Sequence, residues 1–173
     1  LQVESQIEEN PQEALTTLQQ IDTDNLSGRR TRAKYSLLYS IALDKNYIDT
    51  TDIEILQPAI AYYGKKGTPT DKLKTLYYQG KIYHNRGDET QAMEYYLNAL
   101  EKGEKSNDIL TKARIYVSQG AIYNQLFEFE KFIDANLRAA ELFKTAGNNE
   151  SYFGCMIRAL NVYTRNEDII GAD

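Results

Sequence analysis

The chain has 173 residues, 42% hydrophobic and 26% charged, a globular balance with enough length to bury a sizeable core. Its net charge of −5 argues against nonspecific nucleic-acid binding, which needs a basic face, and no run approaches the apolar length of a membrane span or reads as a signal peptide. The lone Cys155 excludes an internal disulfide and a cysteine-rich zinc site, and the lone His84 leaves little for histidine-based catalysis or metal binding.

In chain order, Leu1–Glu9 reads as a short helix with Val3 and Ile7 on one face. Asn10-Pro11-Gln12-Glu13 is a helix start, with Asn capping, Pro in the first turn and Glu reaching back. The helix it opens carries Ala14, Leu18 and Ile21 and ends in a loop over Asp22–Gly28. Arg29 to about Lys45 is the next helix, with Ser36, Ser40 and Leu43 on one stripe, and Asn46–Thr51 is a loop. Thr51 with Glu54 has the spacing of a capping box. Pro58 then implies either a kink or a break, with Asp52–Leu56 as a separate turn. Gly64 and Gly67 end that helix, and Thr68-Pro69-Thr70-Asp71 starts another.

The central stretch Leu76–Ala99 reads as two helices joined at Arg86-Gly87-Asp88. Leu76, Gly80 and Tyr83 share one face, and Ala92, Tyr96 and Ala99 share another. Small Gly80 and Ala92 let the backbones approach while the larger residues fill around the crossing. Beyond it come Ser106 to about Phe127, then Glu128–Ala146 with Phe132, Asn136 and Ala139 on its seam, a stop at Gly147, and Ser151–Arg165. Phe132 in the place of Ala92 and Asn136 in the place of Tyr96 make a size exchange. Asn166–Asp173 begins a partner helix that does not complete, so Leu160, Val162 and Tyr163 lack a cover and the chain is expected to be a piece of a longer protein.

A forty-residue offset relates these helices. It takes Gly80 to Gly120, Ile82 to Ile122, Tyr83 to Tyr123 and Ala99 to Ala139. A further step gives Leu160, Val162 and Tyr163, and a backward step gives Ser40, Ala42, Leu43 and Ala59. Fixed periods in this range are typical of solenoids, whose units stack only on their neighbours. The pattern Leu76…Gly80…Tyr83…Ala92…Tyr96…Ala99 resembles the tetratricopeptide repeat (TPR). Leu76 replaces the family's Trp, Glu104 stands where its Pro would be, and the period exceeds the family's usual length. The expected fold is therefore all-α: a right-handed TPR-like superhelix of antiparallel helix pairs in a single domain. Its approximate repeats are 1–27, 28–67, 68–105, 106–147 and an incomplete 148–173.

What the resemblance implies about binding comes from its groove positions, six and three residues before the Gly and one, four and five after it. The first of these gives Lys34, Lys74, Arg114 and Gly154, a basic column able to attract an acidic peptide, or three ordinary solvated cations. Lys81 lies one residue after Gly80. The later positions give Asp44, His84, Asn124 and Thr164, then Lys45, Asn85, Gln125 and Arg165, all polar as helix ends commonly are. Tyr77 is the aromatic anchor candidate, with a packing role equally open. Ile41 sits where the family's two-carboxylate clamp for chaperone tails needs Asn, so no chaperone client is inferred.

A narrower resemblance joins Tyr39–Asp49 and Pro58–Tyr63 to the N-terminal region of large bacterial TPR proteins of the cell envelope. It implies a sensory or scaffolding role, at the envelope or in the periplasm. The expected function is thus a non-enzymatic protein- or peptide-binding scaffold with its ligand in a concave groove and no cofactor or metal. No nucleic acid binding and no membrane insertion are expected of this segment. The alternatives are an assembly spacer that packs by its ends or convex face, and, less favoured, an enzyme on a helical scaffold.

Overall fold

The computed structural model describes the backbone of residues 3–170 and the side chains of residues 3–164. Among the described residues the chain is all-α, with no strand. It divides into two compact units, Leu1–Lys105 and Ser106–Asp173.

The first unit holds six helices: α1 (Val3–Glu9), α2 (Pro11–Gln19), α3 (Arg29–Lys45), α4 (Gln57–Lys66), α5 (Pro69–Asn85) and α6 (Glu89–Lys102). Val3 and Ile7 of α1 are buried, as their shared face predicts. Asn10 does not cap with its side chain. It acts as a hinge instead, its N–H closing α1 on the Gln6 carbonyl at 2.7 Å and its own carbonyl accepting the first bond of α2 from Ala14. The expected Thr51–Glu54 box also gives way to a neighbour, because the Asp52 carboxylate takes the Glu54 N–H at 3.0 Å. That contact opens a 3-10 turn over Ile53–Leu56, and α4 follows with Pro58 in its first turn, where no backbone donor is missed. Of the two readings of Pro58, the break is the one adopted. Gly64 lies inside α4, and Gly67 alone ends it. At Thr68 the capping box is complete: its hydroxyl accepts the Asp71 N–H at 3.2 Å, and Asp71 accepts the Thr68 N–H at 2.9 Å.

The α5–α6 hairpin is built around contact too close for any side chain but hydrogen. A Cβ on Gly80 would stand 2.4 Å from the Tyr96 ring. Tyr96, Leu18, Leu56, Leu73 and Ile82 are almost wholly buried in this unit, and such burial contributes about 1.5–3 kcal/mol per large apolar side chain.

The second unit holds α7 (Ile109–Gln125), α8 (Phe129–Thr145) and α9 (Asn149–Ile170). Its first helix begins later than the expected Ser106 and ends at Gln125 rather than about Phe127, because Asp108 caps it and takes both the N–H and the hydroxyl of Thr111, at 3.0 and 2.8 Å, and Phe127 is left-handed. The core is Ala113, Ala139, Ala140, Phe143 and Cys155, with Tyr116, Val117 and Tyr152 packed against it. The size exchange appears on the seam. Gly120 faces Asn136, whose amide nitrogen would lie 3.0 Å from an added Cβ, and Phe132 is 8% exposed. The expected new helix at Asn166 is not formed; α9 runs on through Ile170, since no Gly or Pro lies between Cys155 and that residue. The remainder of that expected helix, residues 171–173, lies outside the described residues.

Local geometry recurs along the chain. The closing bonds Ile48 N–H to Leu43, Asp88 N–H to Tyr83 and Glu128 N–H to Tyr123, at 3.0, 3.0 and 2.9 Å, are 6→1 helix stops. Each encloses a left-handed residue: Tyr47 at φ 57°, Gly87 at φ 76° and Phe127 at φ 58°.

Candidate functional site

Each groove position receives its environment from the helix that carries it. Lys34, early in α3, reaches across to α1, where its Nζ lies 2.6 Å from Glu4 Oε2. The hydrogen bond to Glu4 raises its pKa. Lys45 at the far end of α3 pairs with Glu8 of the same short helix. Lys81 of α5 meets Asp44 of α3 at 3.0 Å. Burial pulls the Lys81 ammonium down, but the charge and hydrogen bond of Asp44 more than offset it, leaving its pKa above the usual value. The crevice around this pair, lined in part by Ser40, Thr50 and Asn85, measures about 10 Å³, roughly the room of one water.

Asn85 is also committed within the fold: its amide donates to the Thr50 carbonyl at 3.0 Å, beside Arg86 Nε donating to Thr51 at 2.5 Å. One residue earlier, His84 is half-buried and set edge-on to Tyr96 at 6.5 Å. Burial, assisted by the charge of Lys81, holds its imidazole below the ordinary histidine range. Tyr77 is 4% exposed, its ring 4.9 Å from Tyr78 and 6.0 Å from Tyr96. Of its two roles the packing one holds, so it offers no surface anchor. Lys74 is half-buried on α5. In the second unit Arg114 is half-buried on α7, while Asn124 and Gln125 are exposed at its end. The first unit therefore brings together Lys81, Asp44 and Asn85 and ties Lys34 and Lys45 to α1.

A different feature, unmarked by the groove register, lies between α3 and α4. Arg29, Arg32, Lys65 and Lys66 rim an open cleft of about 440 Å³ floored by Pro58, Ala61 and Tyr62. Its signal in the sequence is Arg29-Arg30-Thr31-Arg32 opening a helix that has no acid in its first turn. Among the described residues no group of three His, Cys, Asp or Glu side chains is placed to hold a metal, and no helix is long and apolar enough to cross a membrane. No family model, curated protein or solved structure matches the chain.

Proposed function

We propose that this chain is a non-enzymatic TPR-like scaffold, built of antiparallel helix pairs in a right-handed superhelix, that holds a protein or peptide in its concave groove. The observation that carries the reading is the recurrence of one helix stop at the ends of α3, α5 and α7, forty residues apart at Leu43–Ile48, Tyr83–Asp88 and Tyr123–Glu128, with a further one closing α8 at Phe143–Asn148. A second regularity supports it. The Asn46 amide donates to the Pro11 carbonyl at 2.8 Å, and forty residues on Arg86 donates to the Thr51 carbonyl, each joining the end of a first helix to the chain that leads into or opens a preceding second helix. Units repeated in this way offer equivalent side chains at equal intervals, a geometry suited to an extended chain. The resemblance of Tyr39–Asp49 and Pro58–Tyr63 to envelope TPR proteins supports a bacterial regulatory or envelope protein as the scaffold's setting.

The partner expected from Lys74 and Arg114 is acidic. Capture of a long acidic peptide without apolar side chains, weakened by salt and abolished by Lys74→Glu with Arg114→Glu, is the supporting result. Unchanged binding after that reversal removes the basic column from the account. A second reading, an assembly module that packs by one end, is favoured by one observation: Phe153, Ile157, Leu160 and Tyr163 form an exposed apolar stripe on α9.

A further inference from the structure

The cleft between α3 and α4 gathers four cations on a chain with 25 acidic and 20 basic residues, and no carboxylate lines it. Arg29 and Arg32 lie one turn apart on α3, while Lys65 and Lys66 close the last turn of α4. Arg32 is held in place by its Nε, which donates to the Leu26 carbonyl at 2.8 Å. The floor is of another character: Pro58, Ala61 and the ring of Tyr62 are apolar, and that ring packs edge-on to Tyr63 at 5.5 Å.

The placement runs against the local electrostatics of the helix. The positive end of the α3 dipole favours anions, and an uncapped N-terminus leaves backbone donors turned outward. Three other helices respect this, with Asp88 and Asp108 capping α6 and α7 and Asp71 completing the Thr68 box on α5. At α3 the cap position is Gly28, which supplies no side chain, and arginines follow. Like charges crowded at a positive helix end repel one another in the free protein, and a bound anion relieves that repulsion. Local rules broken without an internal compensation mark functional positions.

We propose that this cleft binds an acidic peptide segment that carries an apolar side chain. The carboxylates engage Arg29, Arg32, Lys65 and Lys66, and the apolar side chain lies on Pro58 and Tyr62. Arginine forks suit carboxylates through paired hydrogen bonds, and the lysines add point charge. Nucleic acid fits poorly, because the basic surface is one cleft on an acidic chain rather than an extended track. Bare phosphate would engage the rim but leave the apolar floor of Pro58, Ala61 and the Tyr62 ring uncovered. The site is independent of the proposed groove: Arg29 and Arg32 face α4, whereas Lys34 points to Glu4 on α1.

The test is fluorescence anisotropy on the full chain with a labelled Glu-Leu-Glu-Glu-Leu-Glu peptide. Arg29→Glu with Lys66→Glu is expected to weaken binding about tenfold or more, as reversal of two charged contacts implies. Lys74→Glu with Arg114→Glu should change it less than about twofold, as expected for distant, uncoupled charges. The glutamine version of the peptide should bind much more weakly, and so should an all-glutamate peptide of equal length. All four substituted positions are exposed or half-buried, so the variants should melt as the parent does. The milder Arg29→Gln with Lys65→Gln, expected to weaken binding several-fold by removing two of the four charges, keeps the test if they do not.

Equal binding by the cleft variants overturns the proposal, as does loss of binding in the groove variant alone. Displacement of the peptide by inorganic phosphate or a short DNA duplex overturns it in favour of a simple anion site. Self-association blocked by the cleft substitutions overturns it in favour of a second copy of this chain.

Discussion

Tyr47 and Phe127 occupy left-handed backbone at the position where Gly87 ends α5, and they are 95% and 77% exposed. A bulky L-residue there costs about 1–2 kcal/mol of conformational energy, and an exposed ring recovers little of it through packing. Tyr47→Gly is therefore expected to raise stability by about 1 kcal/mol, less the extra entropy glycine loses on folding. Gly87→Ala should lower it by a similar amount, although the space beside Gly87 is open. Urea unfolding of both variants checks the pair, and a Tyr47→Gly variant less stable than the parent would contradict the strain argument. His84 makes a second residue-scale prediction. The folded state holds it below its ordinary value of 6.5, so the unfolded chain binds the proton more readily. Its contribution to stability is complete above about pH 6.5 and is lost as pH falls from there through the folded value. His84→Gln should flatten the decline in melting temperature on acidification in that window. A slope identical to the parent's would mean His84 does not titrate differently on folding.

At the scale of the element, the two best-packed hairpins solve one seam in two ways. Ala92 and Tyr96 of α6 are fully buried against Gly80, while Phe132 and Asn136 of α8 fill the equivalent places against Gly120. Ala92→Phe is expected to cost about 1–3 kcal/mol by overpacking beside Tyr96. Adding Tyr96→Asn should make the double variant less destabilised than the sum of the single changes by about 1 kcal/mol or more, as residues sharing one space are coupled. Strict additivity in thermal or urea unfolding would mean the seams are not equivalent. Helix order, the Thr68 cap and the turn at Gly87 were legible because each rests on residues within a few positions of one another. The environments of the candidate site residues were not. Lys34 is matched by Glu4, Lys81 by Asp44 and Asn85 by the Thr50 carbonyl, all partners 30 or more residues away. Tyr77 shared the groove register yet turned inward, since a helix packed on more than one side buries more than one stripe.

Across the whole molecule, a stack of hairpins differs from a single-core globule in how far damage spreads. On the proposed repeat reading, each hairpin buries its seam against sequence neighbours, so stability is close to a sum of local terms. Phe143 is 5% exposed within the α7–α9 cluster, and Phe143→Ala should cost about 3–5 kcal/mol there. In a solenoid, that loss should appear first in the unit that contains it. Native-state amide exchange is expected to quicken through α7, α8 and α9 while α1, α2 and α3 keep the parent's protection, because opening free energies follow cooperative local units. In a globule with one indivisible core, every slow amide would instead lose protection by the same amount. Uniform acceleration from α1 to α9 would therefore remove the one-dimensional account of this chain, and with it the argument that equivalent side chains are offered to a partner at regular intervals.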